Sequence, residues 1–237
     1  MRSRLFNLSL MGCALVALFI AGRGNSMTIV DYYNLLSPEN LSHQKYTLVQ
    51  RDGKWTVRET PDYGAVSVPV VDVRNGYIRT VYHGGDGEDE RVVALFLAKD
   101  RTPLIGIYSS YNGTGGEYGI AFLEYRNRAW KDVTARVLPT MSYRDFLRKG
   151  FDTAPFEGVM KRVNGGGGRF IEPQFIVTLP RHGTVVTVAL HLKALRGADV
   201  TDADLEVVEK VRSGQAIKVI ELNWNMEKGV FEIGKKR

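Results

Sequence analysis

The chain has 237 residues, 44% of them hydrophobic and 24% charged, a composition that indicates a packed globular core and excludes a wholly disordered chain. Its formal net charge of +6 at pH 7 is modest and spread along the sequence, which argues against a nucleic-acid-binding protein. Cys13 is the only cysteine, so the sequence excludes a disulfide framework and a cysteine-ligated metal site.

The N-terminus has the three parts of a secretory signal peptide. Arg2 and Arg4 supply a cationic start, residues 5–21 are almost wholly apolar, and glycine and serine recur over residues 22–26. This order predicts a cleaved signal peptide over residues 1–24 and a mature protein that is periplasmic or extracellular.

Two anchored alternatives are compatible with the same N-terminal residues. The apolar segment approaches the length of a membrane span, about 17–25 residues, so it would hold the protein in a membrane if it were not cleaved. The stretch LMGC at residues 10–13 loosely resembles a lipid-attachment motif, in which Cys13 would be lipidated. We favour cleavage because the apolar segment continues beyond Cys13, where a lipidated cysteine would end it.

Periodicity and turn residues predict one helix and a series of strands in the first half of the chain. Apolar residues at helical spacing over residues 29–36 stop before Pro38. The Asp-Gly pair at 52–53 and the Asn-Gly pair at 75–76 are typical of hairpin turns, and Pro69 indicates an edge strand or a bulge. The predicted strands cover residues 46–50, 55–57, 66–73, 77–82, 92–98, 104–108, 120–125 and 130–138.

The second half of the chain predicts two short helices and two more hairpins. Ser142 begins a helix that ends at Gly150, and Thr201 caps another. We expect residues 151–169 to be irregular and the glycine run at 165–168 to mark any domain boundary. The hairpins are formed by predicted strands at residues 170–179, 184–193, 216–224 and 230–233.

These elements predict a mostly β fold, a β-rich α+β protein with antiparallel meander and hairpin sheets and a few short helices. The meander over residues 92–125 stands at its centre. The fold is either one domain or two lobes. In the second case an N-terminal β-rich lobe covers residues 25–160, and a C-terminal lobe of two hairpins and one helix covers residues 161–237.

A loop over residues 109–118 is the best candidate for a binding surface. It follows the second strand of the meander and combines glycines with tyrosine, amide and carboxylate side chains, a composition suited to a protein, peptide or glycan partner. The candidate contact residues are Tyr111, Asn112, Thr114, Glu117 and Tyr118.

The best candidate for a metal site is the cluster of His83, Asp86, Glu88 and Asp89. Several carboxylates in a glycine-rich loop offer the oxygen ligands that Ca²⁺ requires. The alternative is a solvated hairpin turn whose charges protect the neighbouring apolar strand from aggregation. We favour the turn because the spacing matches no established calcium loop, and we predict no cofactor.

No motif of a known catalytic class occurs in the chain: it has no G-x-S-x-G, H-E-x-x-H or Walker A sequence. We therefore expect an exported, non-enzymatic binding or interaction protein that contacts a membrane only through an uncleaved or lipidated N-terminus. The rival hypothesis is a periplasmic hydrolase or glycan-active enzyme that uses Asp86, Glu88 or Glu117 as acid and base.

Overall fold

The computed structural model describes residues 27–38, 46–59, 64–85, 87–112, 117–165, 171–194, 201–213 and 216–236. The predicted signal peptide lies outside them. The protein is mostly β, with 48% strand and 21% helix, and its sheets are antiparallel and do not close into a barrel. The predicted fold class is confirmed.

A six-stranded antiparallel meander forms the centre of the molecule. Its strands follow one another in space as in the sequence, and the predicted central meander forms the third, fourth and fifth of them. Pro69 lies in an edge strand beside a shift in register between Ser67 and Val70, as predicted. The strands are β3 (Ala65–Asp72), β4 (Tyr77–His83), β5 (Glu88–Leu97), β6 (Pro103–Tyr111), β7 (Glu117–Arg126) and β8 (Ala129–Asp132).

A helix and a hairpin cover one face of this sheet. Helix α1 (Ile29–Leu35) and the hairpin of β1 (Leu48–Arg51) and β2 (Lys54–Val57) pack there against alternate residues of the meander. The side chain of Asn34 joins the helix to the hairpin, because it exchanges two hydrogen bonds with the backbone of Leu48.

A second sheet and three helices contribute to the core on the other face. Its four strands lie side by side in sequence order, and two hairpins form it, as predicted. The last helix begins at the cap that the sequence predicts, Thr201. The elements are α2 (Thr134–Val137), α3 (Ala154–Gly165), β9 (Ile171–Thr178), β10 (Val185–Ala194), α4 (Asp202–Arg212), β11 (Ile220–Asn225) and β12 (Val230–Lys236).

Aromatic side chains join the two sheets into one hydrophobic core. The ring of Phe231 on β12 lies 5.1 Å from that of Phe96, 5.0 Å from that of Phe122 and 4.9 Å from that of Trp224, measured between centroids. Residues from both predicted lobes belong to this core. The division into one domain or two lobes stays a prediction with both alternatives open.

Two parts of the predicted secondary structure were wrong. The strand predicted over residues 130–138 ends at Asp132, whose carboxylate accepts a hydrogen bond from the backbone N–H of Thr134 at 2.8 Å and so helps to start α2. The segment predicted to be irregular contains α3, which buries Phe156 and Val159 at helical spacing. Pro155 stands near its start, where proline favours a helix.

The helix predicted after Ser142 is present in a shorter form. It is a single 3-10 turn, Tyr143–Phe146, with a capping box between Ser142 and Asp145. It ends before Gly150 because Leu147 forms an isolated antiparallel bridge with Ile217, which takes the backbone out of the helical conformation.

Candidate functional site

The predicted binding loop and the predicted acidic cluster meet at one end of the six-stranded sheet. The backbone N–H of Asn112 donates to the Glu88 carbonyl at 3.0 Å, and the Glu88 N–H donates to the Asn112 side-chain oxygen at 2.8 Å. Asn112 therefore fixes the start of the β6–β7 loop against the start of β5. Thr114 lies outside the described residues.

The structure does not gather the predicted contact residues on one surface. Tyr111 pairs with Glu117 across β6 and β7, while Tyr118 pairs with Ser110. Because successive strand residues point to opposite faces, Tyr111 and Tyr118 lie on opposite faces of the sheet. The Tyr118 ring meets the imidazole of His191 edge to face, with centroids 5.9 Å apart. The side chain of Glu117 is outside the described residues.

The predicted metal cluster is divided in the same way. His83 bridges Ser67 and Glu88, with its Nε2 at 3.2 Å from the serine hydroxyl and its Nδ1 at 3.0 Å from the glutamate carboxylate. Asp89 points to the other face, and Asp86 is outside the described residues. Where side chains are described, no three His, Cys, Asp or Glu residues lie close enough to hold a metal ion. The calcium site stays the untested alternative to the solvated turn that we favour.

A cleft of about 380 Å³ opens at the opposite end of the sheet. We call it the interface cleft, since turns from both sheets form it. The β5–β6 turn, the end of β7, α2 and the β11–β12 turn supply its walls. Its lining residues are Ala98, Lys99, Asp100, Thr102, Leu104, Glu124, Arg126, Arg136, Trp224, Met226, Glu227, Lys228 and Gly229.

One wall of the interface cleft is a network around Glu124. The Arg136 guanidinium approaches the Glu124 carboxylate to 2.6 Å, and that of Arg126 approaches it to 3.6 Å. Arg126 also donates to the carboxylate of Asp100 at 3.1 Å and to the hydroxyl of Thr102 at 2.9 Å. These contacts fix the two guanidinium groups on one wall of the cleft.

The opposite wall joins the β5–β6 turn to the β11–β12 turn. The ammonium group of Lys99 lies 2.7 Å from the Glu227 carboxylate. The backbone N–H of Lys99 donates to the Met226 carbonyl at 2.9 Å. The indole N–H of Trp224 donates to the Leu97 carbonyl at 2.9 Å. The shape of the interface cleft therefore depends on the contact between the sheets.

All three carboxylates of the interface cleft have cationic partners, namely Arg126 for Asp100, both arginines for Glu124 and Lys99 for Glu227. Hydrogen bonds from Thr102, helped by the charge of Arg126, hold the pKa of Asp100 below its usual value. A general acid needs a raised pKa. Asp100 is thus not suited to that role.

Sequence reasoning missed the interface cleft because its residues come from three distant segments. Residues 98–104, 124–136 and 224–229 contain no shared motif, and charged residues such as theirs are typical of solvated positions. The only local signal was Trp224 beside a turn. The distance between the segments along the chain hides their contact until the two sheets are placed together.

In the ranges covered by the structure, no helix combines the length and the apolar character needed to span a membrane.

Comparison with known proteins adds a distant structural likeness. No known family model and no curated protein matches the chain. A solved structure of a domain of an uncharacterized protein from Porphyromonas gingivalis W83 is similar at 10% sequence identity and a TM-score of 0.44. The match covers 75% of this chain and 83% of that one.

Proposed function

We propose that this protein is an exported, non-enzymatic binding protein whose ligand occupies the interface cleft. The single observation that carries the proposal is the convergence of fixed donors and acceptors from both sheets around an open volume of about 380 Å³. Such a volume is in the usual range for small-molecule sites, about 300–1,000 Å³.

The lining chemistry favours a neutral, hydroxyl-rich ligand, such as a segment of a glycan. Four cationic and three anionic side chains line the cleft, and their ion pairs leave little net charge to hold an ion. A hydroxyl group donates to a carboxylate and accepts from a guanidinium, so both kinds of wall group are used. Trp224, Met226 and Leu104 add apolar surface for the C–H face of a sugar ring.

The rival hypothesis of a carboxylate-dependent enzyme has weaker support. Glu88 is held by His83 at one end of the sheet, and the three carboxylates of the interface cleft are neutralised by arginine and lysine. An acid–base pair requires two carboxyl groups with different protonation states in one cleft. Each of these carboxylates instead has a basic partner within the described residues.

The loop over residues 109–118 is a second contact surface in this proposal, suited to a protein or peptide partner. The two hydrogen bonds between Asn112 and Glu88 support it, because they fix the loop base on a rigid sheet. Tyr118 and Tyr111 point to opposite faces, so a partner at this end would contact one of them and not both.

Calorimetric titration of the purified protein with neutral oligosaccharides tests the proposal. Suitable probes are maltotetraose, cellotetraose and chitotetraose. We expect at least one to bind, and we expect Arg136→Ala to weaken binding about tenfold or more, since a hydrogen bond to a charged group contributes about 1.5–3 kcal/mol. Arg212→Ala is the control, because Arg212 forms a similar single ion pair on α4.

Two results would contradict the proposal. One is an unchanged affinity of Arg136→Ala for a probe that binds the native protein. The other is the appearance of shortened oligosaccharides in the incubated sample, detected by mass spectrometry, because hydrolysis would identify an enzyme.

A further inference from the structure

A groove of about 420 Å³ lies between the start of α1, the β3–β4 turn and the end of β5. Three of the large hydrophobic side chains that are exposed in the described part of the chain line it: Met27 at 36%, Val73 at 41% and Leu97 at 42% exposure. Exposed apolar side chains are ordinary when scattered, but a contiguous group of them marks an interaction surface.

Two arginines flank these side chains, and no carboxylate lines the groove. Arg74 and Arg101 are both exposed, and within the described residues neither forms an ion pair. Two carboxylates lie beside the groove, and both have partners: Asp72 binds Arg181 and accepts from Asn75, and Asp31 accepts from Thr28. The groove therefore combines apolar side chains with two arginines that have no acidic partner within the described residues.

We infer that this groove is the surface through which the protein rests on an anionic phospholipid bilayer. Apolar side chains that enter the interface, flanked by arginines that meet anionic headgroups, are the recurring chemistry of peripheral membrane binding. In the alternative in which residues 1–26 are retained as a membrane anchor, Met27 follows directly after the anchor, which would hold the groove at the bilayer.

The groove and the interface cleft use different residues of the same turn. Leu97 and Arg101 line the groove, whereas Ala98, Asp100 and Thr102 line the cleft. The two sites share no lining residue. The membrane inference therefore stands or falls independently of glycan binding.

Fluorescence quenching at single labelled sites of the full chain tests the inference. Because it reports which surface meets the bilayer, it does so even if the N-terminal segment inserts into the vesicles by itself. Two variants are made in a Cys13→Ser background: Val73→Cys and, as the control, Val219→Cys. The new cysteine of each variant is labelled with an environment-sensitive fluorophore. Val219 is similarly exposed, at 38%. It directly precedes β11, at the opposite end of that strand from the β11–β12 turn. Vesicles of phosphatidylcholine, with or without phosphatidylglycerol, carry a nitroxide lipid as quencher.

We expect strong quenching at position 73 in phosphatidylglycerol vesicles, weak quenching at position 219, and little at either in pure phosphatidylcholine. Arg74→Ser with Arg101→Ser should remove most of the quenching at position 73, because each surface arginine contributes about fivefold to binding of anionic lipid. Arg212→Ser should change nothing. Equal quenching at both positions, equal quenching in both lipids, or no effect of the double substitution would overturn the inference.

Discussion

Gly106 sets how closely the two sheets approach. A Cβ atom at this position would lie 2.8 Å from the Phe122 ring and 3.1 Å from a methyl carbon of Leu179. Both neighbours are buried, so neither has free space into which it can move. Because glycine has a hydrogen atom where alanine has a methyl group, Leu179, the residue after β9, can pack on the meander at this position.

Gly106→Ala should therefore lower the free energy of unfolding by about 1–3 kcal/mol, the usual cost of overpacking a core. Urea denaturation followed by circular dichroism measures it. Gly119→Ala on the neighbouring strand is the matched control, because nothing lies within 4 Å of its added methyl group. Equal free energies of unfolding for the two variants would contradict this prediction, because they would show that the sheets can move apart at Gly106 without loss of stability.

Asp72 joins the two sheets at the residue scale through its ion pair with Arg181, at 2.9 Å. Hydrogen bonds from Asn75 and from Arg181 lower the pKa of Asp72 to about 2. Because the folded protein favours the charged carboxylate, this interaction stabilises it fully above the unfolded pKa, near pH 4. The stabilisation is lost as the pH falls towards 2.

Melting temperatures measured between pH 6 and pH 2 test this linkage. Asp72→Asn should melt below the native protein at pH 6, and the difference should shrink between pH 4 and pH 2 as the native carboxylate is protonated. A difference that is the same at both ends of this range would rule out the ion pair as its source.

At the scale of elements, local signals predicted the hairpins well and two helices badly. Asp52 and Gly53 adopt the positive φ angles, 49° and 76°, that an Asp-Gly hairpin turn requires. Helix α3 escaped prediction because Gly158 and the glycine run beyond it suggested an irregular segment, while its buried stripe of Phe156 and Val159 is short. Tertiary packing outweighs low helix propensity there.

The capping box of α4 supplies a prediction at the scale of this element. The hydroxyl of Thr201 accepts from the Asp204 N–H, and the Asp204 carboxylate accepts from the Thr201 N–H at 2.9 Å and also binds Arg162 on α3. Thr201→Ala should cost about 1 kcal/mol of stability. Ser213→Ala, at the other end of the same helix, should cost much less in the same denaturation experiment.

At the scale of the molecule, no local sequence pattern predicted how the two sheets pack against each other. The predicted lobes meet through Phe231, which touches rings from the meander, and through the Lys99–Glu227 pair. The interface cleft exists only because of that contact. The predicted loop joins β6 to β7, and strand alternation places Tyr111 and Tyr118 on opposite faces of the sheet.

Phe231→Ala should therefore lower the free energy of unfolding by about 3–5 kcal/mol, as expected for an aromatic residue in a closed core. It should also weaken glycan binding at the interface cleft, since Trp224 packs on the same ring. Calorimetry at a temperature where the variant is folded separates the two effects. Full affinity in a destabilised variant would mean that the cleft does not depend on the junction of the sheets.

The central claim is that the ligand binds beside Trp224, and nuclear magnetic resonance of the indole N–H groups tests it most directly. The chain has three tryptophans, so three signals report on three places. On titration with the oligosaccharide that binds, the signal of Trp224 should shift, while those of Trp55 and Trp130, outside the interface cleft, should stay in place. A shift at Trp55 or Trp130 with none at Trp224 would contradict the claim.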